Sequence, residues 1–131
     1  MKFLCKYKFR DSLRMKKIYY LSTCDTCKRI INDIDLPSEF ILQDIKTETI
    51  TETQIEEMRS LTNSYEGLFS KRARLYKELD LKNKSLTEED YKKYILEHYT
   101  FLKRPVILFG NQIFVGNSKK VVEAAKQAIH E

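Results

Sequence analysis

Leu21-Ser22-Thr23-Cys24-Asp25-Thr26-Cys27-Lys28-Arg29 decides how this 131-residue chain is read. An apolar run, Ile18-Tyr19-Tyr20-Leu21, leads into it, and Ile30, Ile31 and Ile34 leave it near helical spacing. A C-x-x-C therefore sits where a strand turns into a helix. The unsatisfied N–H groups and the positive dipole end at a helix start favour an anion, and a thiolate is an anion. Cys24 falls at or near the N-cap. Cys27 follows three positions later on the same face, within reach of a disulfide. Lys28 and Arg29 add positive charge, and Asp25 opposes them.

Three chemistries fit two cysteines at that spacing. A redox pair at a strand–helix junction is the thioredoxin-like arrangement. Half of a zinc site needs two further ligands, yet the rest of the chain offers only Cys5, His98 and His130 with no ligand spacing, so no metal is expected. Two small buried residues packing as hydrophobes are the third. The junction favours the first.

The length suits one domain with its own core. With 33% charged and 42% apolar residues the composition reads as soluble and globular. No run approaches a membrane span, and no membrane association is expected. Residues 1–14 carry Lys2, Lys6, Lys8, Arg10 and Arg14 without a continuous apolar segment, unlike a secretory signal. They read as a mobile N-terminal extension, with no role given to Cys5, ahead of a domain over 15–131. A cytoplasmic setting follows, where a C-x-x-C is catalytic or redox-sensing rather than a structural staple. The net charge of +5 bears on solubility and encounter, not on fold.

Lys17 to Ser22 reads as a buried central strand and Asp25 to Asp33 as a helix, which Leu36-Pro37 ends. Glu39 to Ile45 is the second strand, so the first two strands and their helix form a right-handed βαβ unit. Thr51-Glu52-Thr53-Gln54 is a capping box for a helix that carries Ile55, Met58 and Leu61 inward. Residues 65–81 are irregular, then helical. Thr87 to Tyr99 is a helix with Tyr91, Tyr94, Ile95 and His98 on one face, His98 as a core or edge histidine. Val106 to Phe109 and Gln112 to Val115 are strands joined at Gly110-Asn111, a two-residue hairpin signal. Gly116-Asn117-Ser118 caps a last helix that buries Val121, Val122, Ala125 and Ile129. The order βαβ – helical insert – ββα gives an α/β fold on a mixed four-stranded sheet.

Pro105 has no N–H for a ladder, so it is placed at the start of a strand. It is either an ordinary loop-to-strand proline or a cis proline that turns the Arg104 carbonyl toward the thiols. Arg104 is either a surface charge or a fixed guanidinium that pairs with a thiolate or an oxyanion.

Four stretches carry a resemblance: Cys24-Asp25-Thr26-Cys27-Lys28, Leu68-Phe69-Ser70-Lys71-Arg72-Ala73-Arg74-Leu75-Tyr76-Lys77-Glu78-Leu79, Phe101-Leu102-Lys103-Arg104-Pro105-Val106-Ile107 and Val115-Gly116-Asn117. Together they resemble the glutaredoxin-linked arsenate reductase family (ArsC), which includes the Spx-type transcription regulators, over residues 15–130. The resemblance implies a thioredoxin-like fold with a helical insert. It matches Cys24 to the family's active cysteine and Arg104 to its arginine before a cis proline. The reductases resemble Cys-x-x-Ser-Arg, where this chain has Cys27 and Lys28. Two further oxyanion arginines of the reductases fall on Ser70 and near Gly116, although Arg72 lies two residues on. In these respects the chain is closer to the Spx type, which continues beyond the last helix.

The reading that follows is a thiol–disulfide oxidoreductase with a redox-active disulfide: Cys24 as nucleophile, Cys27 resolving and Arg104 steadying the thiolate. Arg72 and Lys28 are candidate anion-binding groups. No bound cofactor is expected; glutathione, glutaredoxin or thioredoxin would donate electrons to a monomer. Arsenate is a less favoured substrate. The alternative is a redox-switched regulator that binds RNA polymerase, without direct contact to nucleic acid.

Overall fold

The computed structural model describes residues 15–131, and the expectations for residues 1–14 and Cys5 lie outside them. The chain divides into two compact units. The first combines residues 15–44 with Arg104–Glu131, and the second is Ile45–Lys103.

In the first unit, strands β1 (Lys16–Tyr20), β2 (Ile41–Asp44), β3 (Val106–Phe109) and β4 (Gln112–Val115) form one sheet in the order β2-β1-β3-β4. β1 pairs parallel with β2, Lys17 opposite Ile41 and Tyr20 opposite Asp44. It pairs antiparallel with β3, Ile18 opposite Ile107. β3 and β4 form the expected hairpin, where Gly110 takes the positive φ of 62° that the tight turn requires. The sheet is therefore mixed and four-stranded, with the thioredoxin-like topology. Helices α1 (Asp25–Ile34) and α5 (Lys119–His130) supply Ile30, Ile34, Val122 and Ala125 to one core with Ile18, Phe40 and Ile107. Alternate residues on β1 and β3, Tyr19, Val106 and Leu108, are fully buried as well, so both central strands bury apolar side chains on both faces.

β2 departs from expectation. It is shorter than Glu39–Ile45, and its exposed residues are Ile41 and Leu42, while Gln43 is buried. It is an edge strand, and covering of its side chains does not follow their hydropathy. At α5, Ser118 is the N-cap and its hydroxyl accepts from Val121 N–H at 3.2 Å. Val122 and Ala125 are buried as expected, but Val121 and Ile129 only half so.

The second unit holds α2 (Glu52–Leu61), α3 (Arg74–Glu78) and α4 (Glu88–Glu97), with 3-10 turns at Glu66–Leu68, Leu81–Asn83 and Tyr99–Phe101. The Thr51–Gln54 capping box forms, Gln54 N–H to Thr51 Oγ1 and Thr51 N–H to Gln54 Oε1, both at 3.1 Å. Ile55 and Met58 are buried and Leu61 half-buried. A second capping box, Thr87 with Asp90, opens α4. Lys92 on α4 reaches Glu52 at 2.9 Å and Glu56 at 3.1 Å on α2. The irregular stretch is pinned by Ser70 N–H to Phe101 O at 2.6 Å and Lys103 N–H to Leu68 O at 2.8 Å. Phe69 stacks on Phe101 at 5.0 Å and meets Tyr91 edge-on at 4.9 Å. His98 lies at the edge rather than in the core, and the helix expected to run to Tyr99 stops before it. α4 ends at Glu97, so His98 leaves the helical face as C-cap; it is exposed, its ring meets Phe101 edge-on at 5.9 Å and its carbonyl accepts Phe101 N–H at 3.0 Å.

Candidate active site at the head of α1

Leu21 leaves β1 and enters a tight turn closed by Cys24 N–H to Leu21 O at 3.0 Å. Cys24 is the N-cap of α1, with extended backbone, and its carbonyl accepts the first helical hydrogen bond from Lys28 N–H at 3.2 Å. Its sulfur makes no cap hydrogen bond of standard geometry, yet the N–H groups of Cys27 and Thr26 act on it as oriented dipoles. Ser22, at the turn's first inner position, gives both its donors to Asp44 at the end of β2: N–H to Oδ1 at 3.3 Å and Oγ to Oδ2 at 2.5 Å.

The two thiols are free and differ in setting. Cys24 is half-buried, whereas Cys27 is 1% exposed. Burial pushes the Cys24 thiol up, but Cys27 outweighs it through its backbone N–H and its thiol, with the Arg104 charge and the Thr26 backbone adding. The net result lies below the ordinary cysteine value. Burial pushes the Cys27 thiol up to about 11, against the Leu21 backbone and Arg104, and its hydrogen bond and charge interaction with Cys24 push the same way. At neutral pH Cys27 is a neutral thiol that donates to Cys24.

Arg104 comes to this place through the sheet. Tyr19 pairs with Val106, so the chain just before β3 arrives beside the end of β1, where the turn begins. The Arg104–Pro105 bond is cis, as the resemblance implies, and Pro105 carbonyl accepts Gly116 N–H at 2.9 Å. Arg104 Nε is buried, and its charge lowers both thiols. This brings Cys24, Cys27, Arg104 and Pro105 to one end of one sheet. Lys28 is exposed on α1, and Arg72 is exposed in the second unit. The sequence reading gave Ser22 and Asp44 no part. Their meeting depends on the parallel register that sets Asp44 beside Tyr20, which spacing does not reveal.

The ArsC family model matches residues 19–125, most of the chain and all of this site. The chain belongs to the ArsC family. Solved structures agree on the fold. An arsenate reductase from Vibrio cholerae is 16% identical with a TM-score of 0.68, covering 83% of this chain and 98% of its own. An arsenate reductase (ArsC) related protein from Brucella melitensis is 20% identical with a TM-score of 0.64, covering 84% and 92%. A protein from Staphylococcus aureus COL is 25% identical with a TM-score of 0.66, covering 84% and 97%. No curated protein matches the sequence. Among the described residues no cluster of His, Cys, Asp and Glu could hold a metal, and no helix is long and apolar enough to cross a membrane.

Proposed function

We propose that the protein is a thiol–disulfide oxidoreductase of the cytoplasm, with Cys24 as nucleophile, Cys27 as resolving thiol and Arg104 as the charge that steadies the thiolate. The observation that carries this reading is the placement of two free thiols on one strand–helix turn, Cys24 half-buried at the helix N-cap and Cys27 buried one turn on; its neighbours lower the Cys24 thiol and burial raises that of Cys27.

The order of events follows from what causes those shifts. The Cys24 thiolate attacks one sulfur of a substrate disulfide. A Cys24–substrate bond forms, the disulfide breaks, and the other half leaves as a thiolate that takes a proton from solvent. Once bonded, Cys24 carries no charge and no longer accepts as a thiolate. Two of the influences that hold Cys27 protonated then vanish, while Arg104 still favours its thiolate. Cys27 loses its proton, attacks Cys24 and expels the second half of the substrate. The product is a Cys24–Cys27 disulfide, with two electrons passed to the substrate. A dithiol protein such as thioredoxin or glutaredoxin, or two glutathione molecules, returns them. The neutral Cys27 is thus kept idle until Cys24 has reacted.

A coupled turnover assay tests the reading, with a model disulfide and with arsenate, each supplied with glutathione and with thioredoxin. Turnover of the disulfide, abolished by Cys24→Ser, supports it. No turnover with either acceptor refutes it, and retention of RNA polymerase subunits would then favour the regulator implied by the resemblance.

A further inference from the structure

We infer that Asp44 is a positioning residue for Cys24, acting through Ser22; the inference rests on the proposed role of Cys24 as nucleophile. Three observations meet here. The turn Leu21–Cys24 delivers the sulfur to the helix start, and its one backbone closure is the 3.0 Å bond from Cys24 N–H to Leu21 O. The cysteine sulfur adds no cap hydrogen bond of standard geometry to hold itself there. Both donors of Ser22, N–H and Oγ–H, go to the two oxygens of one carboxylate, a two-point grip that fixes the residue's orientation as well as its position.

Asp44 is suited to this by topology. It is the last residue of β2 and lies opposite Tyr20, the last residue of β1. A carboxylate there reaches two residues past Tyr20, to the first inner residue of the turn. Nothing at sequence separation 22 is local; the parallel register makes it so.

A grip and a charge make opposite predictions for Asp44. As a charge, a carboxylate near the turn disfavours a thiolate, so removing it would make Cys24 more reactive. As a grip, it holds the turn that puts Cys24 against the Thr26 and Cys27 N–H groups, so removing it would let the sulfur drift and make Cys24 less reactive. The sign of the effect therefore separates the two.

The experiment is iodoacetamide labelling of the reduced full chain from pH 5 to 9, with Cys24 followed by peptide mass mapping and urea stability measured alongside. Asp44→Ala is expected to slow Cys24 labelling at pH 7 by about three- to tenfold, the scale of one ordinary hydrogen bond lost, and to move its pH midpoint up. Asp44→Asn keeps the size and one acceptor and removes the charge, so it is expected to slow labelling by a smaller factor; it also serves if the alanine variant does not fold. Ser22→Ala should slow labelling, Ser22→Thr should restore it, and the Ser22→Ala/Asp44→Ala pair should be no slower than Asp44→Ala alone. Faster labelling in Asp44→Asn, or an unchanged pH midpoint beside lowered stability, would overturn the inference. Labelling needs no turnover, so the oxidoreductase reading and the positioning role fail separately: the first in wild-type turnover, the second in the ratio of variant to wild-type labelling.

Discussion

Deprotonating Cys27 should destabilise the fold. Its thiol is 1% exposed and sits at about 11, against 9.0 for an ordinary cysteine. The fold therefore holds the proton more tightly than the unfolded chain does. The sign follows: below pH 9 both states are protonated and Cys27 costs nothing, and between 9 and 11 the unfolded state releases the proton first and stability falls. The difference is worth a few kcal/mol in full, and on the order of 1 kcal/mol of it is lost from pH 8 to pH 10. Cys24 acts with the opposite sign: its lowered value gives stability that is present above the ordinary cysteine range and is lost as pH falls through the folded value. The assay is urea unfolding under strong reductant at pH 8, 9 and 10 for wild type and Cys27→Ala. The tyrosines and the lysines are common to both proteins and cancel; Cys24 loses the Cys27 thiol as a donor in Cys27→Ala, so the same pair is also compared in the Cys24→Ser background, where burial still raises Cys27. The stability of the protein with Cys27 relative to its Cys27→Ala counterpart should fall by on the order of 1 kcal/mol across that window. A flat or rising difference would refute the claim that Cys27 is held as a neutral thiol.

Three other outcomes are expected. Arg104→Ala should move the Cys24 thiol up and slow its alkylation at neutral pH with the fold retained, and Arg104→Lys should recover part of the rate because an ammonium keeps the charge but not the planar fork. Arsenate should be turned over poorly at micromolar concentration: with Ser70 and Gly116 where the resemblance places oxyanion arginines, two charge-assisted hydrogen bonds at about 1.5–3 kcal/mol each are missing, a deficit of at least two orders of magnitude in binding. Ile107→Ala removes a 1%-exposed side chain from the core between sheet and helices and should cost about 2–5 kcal/mol in urea unfolding with an unchanged denaturant slope.

Much of this was legible in the sequence where a short pattern carries a local physical cause. The strand–C-x-x-C–helix junction located Cys24 at the N-cap because apolar runs change period there. Both the Thr51 capping box and the Gly110-Asn111 hairpin formed as read, since each is closed by neighbours in sequence. The approach of Arg104 to the thiols needed the resemblance as well, because the pairing of Tyr19 with Val106 spans the whole insert. What escaped was decided by tertiary neighbours. Ile41 and Leu42 are apolar yet exposed because β2 lies at a sheet edge, and His98 continued a helical stripe that the chain abandons one residue earlier. The Ser22–Asp44 contact left no trace in composition or spacing, because it depends on strand register.

The central claim is that Cys24 attacks and Cys27 resolves, and the most direct measurement is trapping the intermediate. Reduced Cys27→Ser and Cys24→Ser proteins are mixed with a small symmetrical disulfide at pH 7, quenched in acid and mapped by mass spectrometry. The account predicts a mixed disulfide that accumulates on Cys24 in Cys27→Ser, no comparable adduct on Cys27 in Cys24→Ser, and a Cys24–Cys27 disulfide in wild type. An adduct that forms on Cys27 as fast as on Cys24, or a Cys24 that reacts no faster than Cys5, would contradict it.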